Sequence, residues 1–341
     1  MCMKMHWIDS LTERYAVLNT ARNIYCGFRS RKNAILNILD KPVIVLLYHR
    51  VADLDSDPER LAVSPTHFRE QMNYLKEHYR IVRFEGDWSG LQEPAVAVTF
   101  DDGYADNFYE ALPILEETGV PATFFVSTCY LGTLHEFWWH QLECLLLREG
   151  RFPLQFELND SRCGRSWPTS TLLQRKSLYC DLNELMQRIE PARREAWLVH
   201  LRDWAGQAHM VQSGLNRLMT PGELRRLAAS PQVTIGAHTV THTALSGLSE
   251  VQQRNEIMTS KETLERMTGD TVQTFSYPFG TKNHYNRKSV RICREAGFLK
   301  AASNFPGQIH RWSDPYQLPR HLVRNWCLDM FIDKMRGFWI R

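Results

Sequence analysis

Short, continuous apolar runs alternate along the chain with longer segments whose apolar residues recur at helical spacing. "PVIVLLYH" (42–49) is apolar at nearly every position rather than every second one, which predicts a strand buried on both faces. "AVAVTF" (95–100), "ATFFVS" (122–127), "VTIGAH" (233–238), "VQTFSYP" (272–278) and "FLKAAS" (298–303) read as further strands. Between them, "HFREQMNYLKEHY" (67–79) sets Phe68, Met72 and Leu75 on one helical face, and 104–118 reads as a helix stopped by Gly119. Another helix opens at Thr220, with Pro221 in its first turn and Glu223 completing a capping box. A long helix runs from Ser249 to Gly269, and one more covers 287–296. This β-then-α alternation predicts an α/β fold on a mainly parallel sheet, open or closed as a barrel.

Residues 133–219 break the rhythm. "FWWHQLECLLL" (137–147), "LLQRKSLYCDLNELMQRI" (172–189) and "REAWLVHLRDWAG" (194–206) are helical in pattern and together far longer than an ordinary connection. They predict a helical insertion within one domain spanning 42–332, preceded by an N-terminal helical extension, 1–41. Residues 7–28 of that extension form an amphipathic helix in pattern, followed by Arg29, Arg31 and Lys32. Packing on the domain is the commoner use of such a helix; contact with anionic lipid is the other.

Composition narrows the function. The chain is 43% apolar and 23% charged with a mean hydropathy of −0.38, as in soluble globular proteins. A net charge of +3 and the lack of a basic tract argue against a nucleic-acid partner. The eight cysteines form no C-x-x-C pair, so neither a zinc ribbon nor a thioredoxin-like site is indicated. The N-terminal stretch lacks the uncharged apolar core of a secretory signal, and no run approaches the ~18 apolar residues of a membrane span. The expectation is a cytoplasmic protein, with peripheral contact at the inner membrane as the variant the N-terminal helix allows.

Chemistry concentrates at strand ends. Asp101 and Asp102 end the run "VAVTF", where two adjacent carboxylates are costly to desolvate without a cation nearby. "VTIGAHTVTH" closes another strand with His238 and His242 four residues apart. In a parallel sheet both ends open on one side, so the carboxylates and imidazoles face one pocket. Two histidines and one carboxylate with an open position form a catalytic zinc arrangement. The second carboxylate is then left beside the water as a base, which implies hydrolysis.

"TFDDGY", "HTVTH" and "SYPFG", in that order, resemble the polysaccharide deacetylase family (carbohydrate esterase family 4), as do "VLLYHRV" upstream and "LPRHLVRNW" downstream. The resemblance covers about residues 42–132 and 216–330. It implies a distorted (β/α) barrel of about seven parallel strands, with Asp101 as general base and Asp102, His238 and His242 as metal ligands. The metal implied is a divalent ion, zinc first, with Co2+, Mn2+ or Ni2+ able to substitute. Phe279 falls where the family uses an aromatic whose backbone N–H stabilises the oxyanion. Tyr104, which closes "TFDDGY", and Trp139, at the start of the insertion, are further candidates for substrate contact.

Two departures stand out. Many members carry Arg two residues before the motif's proline to orient the base, and this chain has Ser276; Arg320 in "LPRHLV" is the candidate replacement. Many members end with a Leu-x-His whose histidine is the general acid. "QLPRHLV" does not supply it in register, so His49, at the end of the first strand, is favoured over His321 and His310. The expected activity is removal of N-acetyl groups from an amino sugar of a bacterial polysaccharide or of a surface-glycan precursor, the latter on a nucleotide- or lipid-linked carrier. Deformylation, O-deacetylation or other amide hydrolysis on the same fold is the alternative, and a catalytically silent glycan-binding module is another. Oligomeric state is left open.

Overall fold

Six apolar side chains in a row, Val43 to Tyr48, are all buried because both faces of their strand meet a core. Ile44, Leu46 and Tyr48 join the large core between sheet and helices, while Val43 and Val45 point into a smaller core with Ala95, Ala97, Phe125, Ala302 and Leu318. An alternating strand could not fill both, so the unbroken apolar run reflects a two-sided sheet. The structure is a computed structural model and describes residues 36–37, 39–160, 163–207 and 214–340. The predicted N-terminal helix, 7–28, lies outside the described residues.

The strands are β1 (Val43–Tyr48), β2 (Arg50–Val51), β3 (Ala62–Val63), β4 (Arg80–Ile81), β5 (Ala95–Phe100) and β6 (Ala122–Val126). Then follow β7 (Gln155–Asp160), β8 (Cys163–Pro168), β9 (Val233–Ala237), β10 (Thr274–Ser276), β11 (Lys300–Ala302) and β12 (His321–Leu322). The main sheet is parallel in the order β11-β10-β9-β6-β5-β1-β12, with β4 paired to the start of β5. A parallel bridge from Ala302 to Leu318 draws the β11 edge toward the segment that enters β12. The sheet is therefore a curled, distorted (β/α) barrel, and its strand ends converge on one rim.

Helices cover the outside. Pro65–His78 buries Phe68, Met72 and Leu75; the capping box expected at Thr220 opens the helix Pro221–Ala228, and Ser249 caps Glu250–Thr268 with a second box. The segment read as one helix over 104–118 instead holds a π-helical turn, Asn107–Ala111, followed by an α-helix, Leu112–Thr118. Pro113 at the junction has no N–H to continue the ladder. A C-terminal helix, Leu328–Ile340, extends past the expected boundary at 332 and buries Phe331 and Met335. No helix among the described residues is long and apolar enough to cross a membrane.

Segment 133–219 holds the helices Trp138–Leu146, Leu172–Met186 and Pro191–Trp204, close to the predicted spans. It also holds the antiparallel hairpin β7–β8, which the helical reading missed. Phe156 and Leu158 are buried between exposed neighbours, the period of two that marks a half-buried strand. Where the segment returns, Leu218 bridges Tyr104, Ala105 N–H donates to Arg217 O, and Met219 N–H donates to Gly103 O. The exit of the insertion is thus laid along the "DDGY" loop.

Glu223 fixes that exit. Its carboxylate accepts from Arg217 Nη1 (2.7 Å) and Nη2 (2.8 Å), from Tyr109 Oη (2.5 Å) and from Thr220 N–H (2.8 Å). Burial alone would raise its pKa, but these donors outweigh burial and lower it from 4.5 to about 2. The stabilisation is complete above the ordinary carboxylate pKa and is lost as pH falls through the folded value. Glu223→Gln is expected to flatten the decline of urea stability between about pH 4.5 and pH 2. An unchanged decline would assign the acid sensitivity to other carboxylates.

Candidate active site

The turn after β5 is strained where it carries its carboxylates. Asp101 N–H extends the ladder to Tyr48 O, after which Asp102 (φ +78°) and Gly103 (φ +86°) turn the chain sharply. A Cβ at Gly103 would meet Val126 Cγ1 at 2.7 Å, so glycine is required there on two counts. Among the described residues, positive φ at non-glycine positions occurs at Arg60, Asp102, Thr239, His242 and Phe279. Four of those five lie on this rim, and strain of this kind persists where surrounding structure over-determines it.

Asp101 is buried and held by one cation. Arg320, 1% exposed, donates from Nη1 to Asp101 Oδ1 (2.7 Å) and from Nη2 to Oδ2 (2.6 Å). Its Nε donates to Ser303 O, Nη1 also reaches Thr99 Oγ1 (3.3 Å), and Nη2 also reaches Ser276 Oγ (2.7 Å). All five guanidinium N–H groups are used. Ser276 Oγ in turn donates to Asp101 Oδ2 (3.1 Å). A side chain as large as arginine at 276 would collide with this arrangement; serine leaves room for Arg320 to arrive from the far edge of the sheet. Burial alone would raise the Asp101 pKa, but Arg320 and then His238 outweigh it and hold the carboxyl below its ordinary value.

Asp102 faces the imidazoles. Its Oδ1 lies 3.1 Å from His242 Nε2 and 3.5 Å from His238 Nε2. His238 Nδ1 sits 2.7 Å from Ser276 O, an acceptor, so Nδ1 carries the proton and Nε2 turns a lone pair toward Asp102. Burial and then the aspartates act on His238 in opposite senses, and its pKa is raised; at His242 burial prevails and the pKa is lowered. Asp102 Oδ1 has no hydrogen-bond donor although it is buried. Ligand atoms held ~2.0–2.2 Å from one ion lie roughly 3–3.6 Å apart, which these separations fit. Among the described residues, Asp102, His238 and His242 form the His/Cys/Asp/Glu cluster able to hold a metal.

The loop between the histidines is itself held by a carboxylate. Glu256 accepts from Val240 N–H (2.9 Å), Thr241 N–H (2.8 Å) and Thr241 Oγ1 (2.6 Å). Thr241 Oγ1 contacts Thr243 Oγ1 (2.8 Å), which accepts from Arg194 of the insertion. Sequence reading missed both. Glu256 did leave a signal, a charge on the buried helical face that also holds Gln253, Ile257, Ser260 and Leu264.

The remaining candidates separate clearly. A cleft of about 220 Å3 is lined by Asp101, Asp102, His238, His242, His49, Phe279 and Trp139, together with outer residues. The Phe279 ring lies 4.7 Å from that of His242, and its N–H donates to no acceptor among the described residues. Trp139 packs edge-on to His242 at 4.9 Å, whereas Trp138 is buried inward beneath Arg194. Tyr104 stands behind the cleft, with its hydroxyl bonded to His140 Nε2 (2.8 Å) and Trp139 Nε1 (3.1 Å), so it steadies Trp139 instead of reaching substrate. His49 lines the cleft with an unpartnered, buried Nδ1; burial lowers its pKa despite the two aspartates. His321 turns away to stack on Phe338 at 4.0 Å, while Leu322 faces the cleft. His310 stacks on Trp312 and lies outside the cleft.

The polysaccharide deacetylase family model matches residues 89–144 and 196–300. A Bacillus subtilis (strain 168) protein that carries the name polysaccharide deacetylase, YxkH, is 21% identical over 81% of this chain and 69% of its own length. The chain belongs to the polysaccharide deacetylase family. The family's fold is seen in the Streptococcus pyogenes deacetylase PplD in complex with acetate, with a TM-score of 0.55 and 16% identity over 87% of this chain and 99% of that one. IcaB from Ammonifex degensii gives a TM-score of 0.55 and 17% identity over 88% and 98% of the two chains. Identities this low speak for the deacetylase fold alone. The two segments matched by the family model leave out 145–195, which is where the insertion carries the β7–β8 hairpin and Asn183.

Glu256→Gln is expected to weaken zinc binding by about tenfold or more, measured by competition with a chromophoric chelator, because it loosens the loop that orients both imidazoles. Unchanged affinity would show that the histidines are oriented without Glu256.

Proposed function

We propose that this chain hydrolyses the N-acetyl amide of an amino sugar in a surface-glycan precursor or polysaccharide. The observation that carries the reading is the buried Asp101–Arg320 pair set directly beside the Asp102/His238/His242 cluster. Imidazole and carboxylate donors suit zinc, with cobalt, manganese or nickel as substitutes. A divalent ion held by Asp102, His238 and His242 would polarise the amide carbonyl and make a water nucleophilic near neutral pH.

Asp101 is the base. Arg320 keeps it ionised and fixed in orientation, so it meets the attacking water as an acceptor ready to take its proton. The Phe279 N–H, unpaired and held at positive φ beside His242, donates to the oxygen on which charge develops. His49, on the β1 side of the cleft, gives a proton to the departing amine from its imidazolium form, which the two aspartates favour against burial. Trp139 supplies an apolar wall for the acetyl methyl or the sugar face.

A silent glycan-binding module has no use for a desolvated carboxylate kept ionised by a fully committed arginine. That favours an enzyme. Acetyl, formyl and ester carbonyls are all open to the same chemistry, so the acyl group is a matter for measurement.

The test is release of acetate and formate from N-acetylated, N-formylated and O-acetylated glycans, with and without chelator. Acetate from N-acetyl substrates, abolished by chelation and restored by zinc, is expected. Asp101→Asn should keep its metal and lose about 10²–10⁴-fold in kcat. Full turnover in that variant would remove Asp101 as base, and metal binding without release from any substrate would transfer the chain to the glycan-binding reading.

A further inference from the structure

Beyond the reacting centre, the segment through β12 continues along the cleft. Arg320, Leu322 and Arg324 alternate on it: Arg320 holds Asp101, while Leu322 and Arg324 line the cleft. Val323 N–H donates to Leu47 O, so the extended pairing persists to that point. At ~3.3 Å per residue, Arg324 lies about 13 Å along the backbone from Arg320. It is the sole lysine or arginine among the described residues lining the cleft.

Arg324 lacks the counterion that Arg320 has. Its Nη1 donates to the carbonyl oxygens of Glu59 and Arg60, and no carboxylate among the described residues forms an ion pair with it. Nη2 and Nε have no acceptor among the described residues. The nearest charges are already committed or add repulsion. Glu59 accepts from Tyr179 Oη (2.7 Å) and Asn183 Nδ2 (2.8 Å), Asp57 accepts from the N–H groups of Leu61 (2.9 Å) and Ala62 (2.8 Å), and Arg60 is a second cation. Burial and then Arg60 lower the proton affinity of Arg324, and they outweigh the smaller opposing pull of Asp57 and Glu59.

We propose that Arg324 forms an anion subsite in the outer cleft, so that the N-acetyl sugar is presented on a glycan bearing a phosphate or carboxylate beside it. The free edge of the guanidinium offers parallel N–H groups that match either oxyanion. The inference rests on the deacetylase reading for its sugar, but not for its charge.

Calorimetric titrations of the zinc-loaded protein with three probes test it. N-acetylglucosamine 1-phosphate supplies a phosphate, a glucuronate–N-acetylglucosamine disaccharide supplies a carboxylate, and diacetylchitobiose is neutral. One or both anionic probes should bind more tightly than the neutral one, with an advantage that falls as salt rises. Arg324→Gln should weaken the favoured anionic probe by about tenfold or more and leave the neutral probe within twofold. Arg324→Lys should restore part of the loss. Equal weakening of neutral and anionic probes would reduce Arg324 to a brace for residues 59–60 and overturn the proposal, as would the lack of any anionic preference. Charge-selective binding without hydrolysis of any probe would leave the subsite and count against the deacetylase reading; hydrolysis without charge selectivity would do the reverse.

Discussion

The Arg320–Asp101 pair joins a guanidinium and a carboxylate in a place that neither could occupy alone. Removing one partner of such a buried pair typically costs about 3–5 kcal/mol, because the other is left charged and unsolvated. Its support comes from four strand ends: Asp101 follows β5, Ser276 ends β10, Ser303 follows β11 and Arg320 precedes β12. These meet only when the sheet has curled enough to bring its edges together. Closure of the barrel and ionisation of Asp101 are therefore linked. The same closure leaves Asp102 facing two imidazoles with no donor of its own, which is the condition for holding a cation.

The insertion is part of this centre. Trp139 packs on His242, Arg194 reaches the threonines held by Glu256, and Ala244 N–H donates to Gln187 O where the insertion passes the histidine loop. A Cβ at Gly247 would lie 2.1 Å from Arg188 O, so the two backbones touch. Asn183 and Gln187 then supply one wall of the cleft. The rim residues set the chemistry, and the insertion shapes the cleft that opens onto it.

Much of this was legible in the amino-acid sequence for physical reasons. A strand buried on both faces must be apolar throughout, so "VIVLLY" and "AVAVTF" announce themselves. Two carboxylates at the end of such a strand, or two histidines after another, are too costly to be incidental. What stayed hidden depends on distant partners. Nothing near Asp101 announces an arginine 219 residues later. Arg320 was a candidate only because Ser276 stood where another arginine was expected. Tyr104 reads as a substrate contact from its motif, yet its hydroxyl is taken by His140 and Trp139, both from the helix Trp138–Leu146, whose approach no local pattern records. The β7–β8 hairpin was masked by helical neighbours, although Phe156 and Leu158 carry its period.

The central claim is the division of labour between two adjacent aspartates, Arg320 on one and a metal on the other. A zinc-soaked crystal structure with anomalous scattering tests it most directly. A single peak ~2.0–2.2 Å from Asp102, His238 and His242, with Asp101 still bonded to Arg320 and outside the coordination sphere, is the expected result. A peak ligated by Asp101, or a metal bound elsewhere with this cluster unchanged, would contradict the account.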